Sequence, residues 1–245
     1  MKESNFFKFE NKNDDFPFYN NDKTAFTPIQ SLFLVFASIG SVILFRFLGA
    51  TRLNFLIPFI NIIVPLGSLI IVVKSNWIKL FRKVHFKDII LVILVLITNL
   101  IVTFIVGFLT VKFASADVNP AVHIIQRNSP IENLKFFLIM IPMLFGEELI
   151  TIIPFLVVLQ FAKRNLKTSR KTAIIIAWIV SALIFGAMHL PTYNWNIVQA
   201  VLSVGIARLI LTFPYIKTKN ILISLFVHIL NDWILFLPFL LMSFE

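Results

Sequence analysis

The 245-residue sequence contains no cysteine. That absence excludes disulfides, thiol nucleophiles and thiolate metal ligands. Charge is also scarce. Asp, Glu, Lys and Arg make up 14% of the chain and apolar residues 58%, whereas soluble domains carry about 25% charged and about 45–50% apolar residues. No basic start runs directly into an apolar core, so the first apolar segment is expected to act as the membrane signal itself. There is no long internal repeat. Three protease signatures are missing as well: a serine placed for a Ser–His–Asp triad, a pair of Gly-x-Gly-Asp aspartates on separate helices, and a His-Glu-x-x-His zinc helix.

Long apolar runs are present, near residues 29–48, 53–73, 88–111, 135–161, 173–190, 197–213 and 220–243. At about 20 residues per span, they predict an all-α integral membrane protein, a polytopic bundle of seven or eight transmembrane helices. Residues 1–28 are polar and of mixed charge and read as a flexible N-terminal tail; residues 29–245 form the membrane domain. The net charge of +10 is concentrated in alternate loops. Loop 74–87 holds Lys74, Lys79, Arg82, Lys83 and Lys87; loop 162–172 holds Lys163, Arg164, Lys167, Arg170 and Lys171; loop 214–219 holds Lys217 and Lys219. The intervening loops are poorer, with Arg52, Lys112 and Arg127. This pattern predicts a cytoplasmic N-terminus and an external C-terminus. It makes the basic excess topogenic and argues against a nucleic-acid partner. The expected partner is the lipid bilayer. The Ile-, Phe-, Asn- and Lys-rich composition suggests a bacterial cell membrane.

Ser129-Pro130-Ile131-Glu132 has the form of a capping box with proline at the first helical position, so a helix is predicted to begin near residue 130. Carried to residue 161 it would be about 48 Å long, and Pro142 and Pro154 offer places for a kink or a break. This helix carries Glu147 and Glu148 side by side within an apolar run. A charge at the bilayer centre costs about 2.5–3.5 kcal/mol on insertion scales, so such residues usually face the protein interior. Other spans contain Arg46, His189, Arg208, His228, Asn231 and Asp232. Phe185 and His189 are four apart, and Asn231 and Asp232 follow His228 by three and four, so each set shares a helix face. The cheapest arrangement turns these stripes towards one another. A carboxylate with a histidine can polarise a water for attack on a carbonyl, and a second histidine with an amide or acid can stabilise the oxyanion. The same residues also allow a zinc site of Glu147, His189 and His228 with an open position. The first scheme requires no cofactor; the second takes a divalent metal such as zinc.

Paired glutamates, then Phe-x-x-x-His, then His-x-x-x-Asn/Asp, in this order in apolar helices, resemble the CAAX-protease and bacteriocin-processing group of intramembrane endopeptidases, the Abi family. The resemblance spans about residues 130–240. It implies an intramembrane protease acting on a peptide or membrane-protein substrate, in which Glu147 activates water with His189 as partner. His228 and Asp232 match the oxyanion-stabilising pair, Glu148 the supporting carboxylate, and Phe185 and Asn231 are supporting positions. The family's first motif, Glu-Glu-x-x-x-Arg, has arginine where this chain has Ile152. Three readings of that departure stay open: Glu148 is neutral, Arg46 or Arg208 supplies the cation from another helix, or the site has decayed. The alternative functions are a non-catalytic Abi-type scaffold or bacteriocin self-immunity protein, and an ion or proton transporter. A transporter would be expected to show matched Gly/Pro-interrupted halves, which the sequence lacks. The blander reading of each motif is an interhelical hydrogen bond for the glutamates and His228–Asp232, an interfacial position for His189, and snorkelling for Arg46 and Arg208.

Overall fold

The structure is a computed structural model that describes residues 6–19, 24–49 and 57–242. Eight α-helices are seen among these residues, and no strand: α1 Pro28–Gly49, α2 Ile57–Val73, α3 Phe86–Ala114, α4 Pro120–Arg127, α5 Pro130–Arg164, α6 Arg170–Met188, α7 Gly205–Thr218 and α8 Ile221–Met242. Seven helical segments are long and apolar enough to cross a membrane. The chain is therefore a multi-pass helical membrane protein. The eighth helix, α4, is a short piece of the loop between α3 and α5. Asn119 caps it by accepting from the Ala121 N–H, Pro120 occupies its first turn, and it packs on α8.

α5 is the central helix, in contact with α1, α2, α6 and α8. It starts where the sequence predicts: Glu132 accepts from the Ser129 N–H at 2.8 Å and from its hydroxyl at 2.7 Å. The helix then runs unbroken through Pro142 and Pro154 for 35 residues, about 52 Å at 1.5 Å per residue. Packing on four neighbours holds the two turns that lose a backbone donor. Residues 148–157 of α5 are buried without interruption, so this stretch faces protein on every side.

Two glycines set how closely the helices approach. A Cβ on Gly146 of α5 would lie 2.6 Å from the Asn61 Cβ and 2.9 Å from its backbone carbon in α2. A Cβ on Gly186 of α6 would lie 2.7 Å from the Ala200 carbonyl oxygen, in a π-helical turn, Val198–Val204, that leads into α7. Gly67, by contrast, has nothing within 4 Å of such a Cβ. Gly146→Ala and Gly186→Ala are expected to destabilise the protein by about 1–3 kcal/mol through overpacking. Gly67→Ala should be neutral or stabilising by about 0.4–1 kcal/mol. Thermal unfolding of the three purified variants checks this ordering.

The N-terminal segment departs from the expected flexible tail. Residues 6–19 are packed across one end of the bundle, and Phe6, Phe16, Phe18, Tyr19 and Phe26 are buried. Phe16 packs on Phe155 and Tyr215, and Phe9 on Phe213. The acidic residues are paired: Glu10 accepts from Arg170 Nη1 and Nη2 at 2.8 and 2.7 Å, Lys219 Nζ lies 2.9 Å from Glu10, and Asp15 accepts from Arg170 at 2.7 Å. Lys217 donates to the Phe9 carbonyl and the Asn11 N–H to the Lys217 carbonyl. A polar, mixed-charge composition suggested a solvated tail. Its aromatic residues find a core, and its acids find the cations of the basic loops, which lie far along the sequence. Asp14 approaches Arg82 at 3.9 Å, so all three basic loops meet the N-terminal segment at the same end of the bundle.

Candidate active site

Four of the polar helix residues predicted to converge do so around His228. Its Nδ1 lies 2.9 Å from Glu148 Oε1, and its Nε2 lies 3.8 Å from Glu147 Oε2 and 3.9 Å from Asp232 Oδ1. α5 supplies the two glutamates and α8 supplies His228 and Asp232. The cation absent at Ile152 comes from α7. Arg208 Nη1 and Nη2 donate to the two oxygens of Glu148 at 2.7 and 2.8 Å, with both side chains fully buried. Ile152 itself is buried in the apolar core. Of the two arginines the sequence offered, Arg208 takes the role. Arg46 instead sits at the end of α1, donating to the Met188 carbonyl at 3.2 Å and to Thr192 Oγ1 at 3.0 Å.

The Glu148–Arg208 pair orients the imidazole. An ionised carboxylate only accepts, so His228 Nδ1 is the donor to Glu148 and Nε2 faces Glu147 and Asp232. Arg208 is held in turn by Thr212, whose hydroxyl accepts from Nε at 3.2 Å, and by the Phe185 ring, 4.9 Å from the guanidinium carbon. Asp232 is held from behind. Asn231 donates to Asp232 Oδ1 at 3.0 Å, and Asn99 of α3 donates to Asn231 Oδ1 at 2.8 Å.

His189 occupies a second position. It closes the C-terminus of α6, packs on Phe185 with ring centroids 4.6 Å apart and planes tilted by 43°, and donates from Nδ1 to the Phe185 carbonyl at 2.9 Å. That hydrogen bond leaves Nε2 as the acceptor in the neutral ring. Phe185 neighbours both histidines, its centroid 6.5 Å from that of His228. His189 shares a cavity of about 90 Å³ with Glu147, and Arg46, Asn61, Phe185 and Thr192 also line it. One water occupies about 30 Å³ of liquid, so the cavity has room for water between the carboxylate and the imidazole. His228 and Asp232 are not part of that lining.

Residues 130–234 match the family model of Rce1-like type II CAAX prenyl endopeptidases. These residues, less than half of the chain, are similar to that family. The resemblance drawn from Glu147-Glu148, Phe185-x-x-x-His189 and His228-x-x-x-Asp232 is thereby borne out. The match starts at the first residue of α5 and includes all of these positions. No curated protein and no solved structure matches the chain.

Several residues of the Rce1-like site and its surroundings were not singled out from the sequence. Asn99, Asn61, Asn119, Tyr193 and Thr212 all contribute. Asn61 and Asn99 lie inside apolar spans, so the rule that flagged the glutamates would have flagged them too. Tyr193 receives a hydrogen bond from Asn119 at 3.2 Å. Burial pushes its phenol above the ordinary value, the Asn119 contact pulls it down, and the charges of Asp232 and Glu147 push it up, for a net rise. It therefore stays protonated near the site.

Among the described residues no three His, Asp or Glu side chains converge as a metal's ligand set. His228 donates Nδ1–H to Glu148, as a metal-bound imidazole also can, and turns Nε2 towards Glu147, but His189 is not drawn into the same cluster. This arrangement does not fit zinc held by Glu147, His189 and His228, and no step below is routed through a metal.

Proposed function

We propose that the chain is an intramembrane endopeptidase that hydrolyses a peptide bond by direct attack of water. The observation that carries this reading is that Glu147 is associated with two histidines: it lines a cavity with His189 and lies 3.8 Å from His228. Glu147 takes a proton from a water that His189 Nε2 helps to orient. The hydroxide adds to the scissile carbonyl carbon, and the carbonyl electrons move to oxygen. In its imidazolium form, His228 offers an Nε2–H to that oxyanion, while the Glu148–Arg208 pair holds the ring in place. Collapse of the intermediate breaks the C–N bond, and Glu147 returns its proton to the leaving amine. The endopeptidase description of the matching family supports the reaction class. The buried Arg208 supports an intact site, since it supplies the cation whose absence at position 152 motivated a binding-only role. The substrate is a peptide or membrane-associated protein. By the positive-inside rule, the end carrying the N-terminal segment and basic loops faces the cytoplasm.

Peptide termini are compared in membranes of cells expressing wild type or Glu147→Gln at matched levels. Termini produced by wild type are expected to fall by at least about 100-fold with Glu147→Gln, the lower range for a general base, and to be lost in His189→Ala. Identical termini in all three would reject the enzyme and leave a scaffold or immunity role.

A further inference from the structure

The cavity beside Glu147 has a wall that the Rce1-like region does not supply. Arg46 of α1 and Asn61 of α2 line it opposite α5 and α6, and both precede the matched residues 130–234. Each has polar capacity left over. Asn61 is 8% exposed and its Oδ1 has no hydrogen-bond partner. A buried unpaired amide oxygen costs about 1–3 kcal/mol; Asn61 lines the cavity wall, and rotation of its amide would turn the covered oxygen towards a bound molecule. Among the described residues, Arg46 is the only lysine or arginine lining the cavity. Its two hydrogen bonds both come from Nη2 and go to neutral oxygens, and it has no carboxylate partner among the described residues. Those bonds anchor the guanidinium to the end of α6, next to His189, and leave Nη1 and Nε for another acceptor.

We propose that Arg46 and Asn61 form the substrate-binding wall of this cavity, Arg46 pairing with a carboxylate of the substrate peptide and Asn61 Oδ1 accepting a peptide N–H. This rests on the peptidase reading for the word substrate. The binding site itself stands on the two unfilled polar groups. A peptide carboxylate close to Glu147 would be repelled unless a cation stood nearby, and Arg46 is placed to offset that repulsion. An arginine fork accepts a carboxylate through two parallel N–H bonds. The carboxylate can come from a free C-terminus or from an Asp or Glu side chain near the scissile bond.

The test uses the full chain in lipid nanodiscs. A fluorescent apolar hexapeptide is prepared as the free C-terminal acid, as the C-terminal amide, and as the amide with one Asp near the terminus. Binding is measured to the Glu147→Gln protein, with and without Arg46→Gln, and cleavage is measured with wild type. The acid is expected to bind at least about 10-fold more tightly than the amide, with the difference abolished by Arg46→Gln and partly kept by Arg46→Lys. Asn61→Ala should weaken acid and amide alike. Recovery of tight binding by the Asp-containing amide assigns the carboxylate to a side chain; no recovery assigns it to the terminus. Equal binding of acid and amide, or a preference that survives Arg46→Gln, overturns the proposal. An Arg46-dependent preference without any cleavage would reject the hydrolytic reading and keep the anion site. Cleavage without a preference would keep the enzyme and reject the site.

Discussion

Arg208→Met is expected to be the most damaging single substitution in the membrane core. The guanidinium and the Glu148 carboxylate are both fully buried and joined by two hydrogen bonds of 2.7 and 2.8 Å. Removing one partner of such a pair costs about 3–5 kcal/mol, because the other charge is left without compensation. Methionine fills similar volume, so the loss is electrostatic rather than a cavity. The same change frees Glu148 to turn, and His228 loses its fixed ring. Cleavage should therefore fall together with the unfolding temperature. A suppressor separates charge from packing: Ile152→Arg in the Arg208→Met background places a cation one turn after Glu148 on its own helix face, and should recover part of both losses. An Arg208→Met protein with wild-type stability and unchanged cleavage would show that the pair does neither job.

Glu10→Gln is expected to have a comparable effect at the opposite extreme of the sequence. Glu10 accepts two hydrogen bonds from Arg170 and lies 2.9 Å from Lys219, and all three side chains are nearly or fully buried. Losing the anion leaves Lys219 and Arg170 side by side, with Asp15 as the remaining carboxylate on Arg170. The pair estimate of about 3–5 kcal/mol corresponds to a fall of roughly 6–20 °C in Tm for a chain of this size. The pH dependence is also fixed. Burial raises the Glu10 carboxyl, but hydrogen bonds from Arg170, the Phe7 N–H and Lys219 outweigh it, and it ends below its ordinary value of 4.5. Its contribution is complete above that ordinary value and is withdrawn as pH falls through the lower folded one. The gap in Tm between wild type and Glu10→Gln should be wide at pH 7 and close as the medium becomes acid. A gap independent of pH would mean that the ionised carboxylate is not its source.

The sequence reading and the structure agree where local rules suffice. Apolar run length placed the seven spans, and the Ser129–Glu132 box placed the start of α5 to the residue. The cost of charge in lipid turned Glu147, Glu148, His228 and Asp232 towards one another. The reading failed where a residue's partner lies far along the chain. Nothing near Ile152 shows that Arg208 replaces the arginine, since the two meet only when α5 and α7 pack. Composition alone made residues 6–19 a tail, because the cations that neutralise Glu10 and Asp15 belong to loops more than 150 residues away. The prolines of α5 suggested a break, but packing on four neighbouring helices keeps it continuous.

The N-terminal segment has a consequence in time. Glu10 meets Arg170 across 160 residues, and Phe9 meets Lys217 across 208. At a synthesis rate of about 5–20 residues per second, roughly 10–40 s separate the making of Phe9 from that of its partner. Through that interval the binding site of residues 6–19 stays incomplete, because α7 and loop 214–219 have not been translated. The segment finishes docking only when α7 is in place, so residues made before every helix are among the last to settle. A ribosome product that stops before α7 would leave Phe9 without Phe213 and Phe16 without Tyr215, and these less covered aromatics would mark an unfinished chain for quality control.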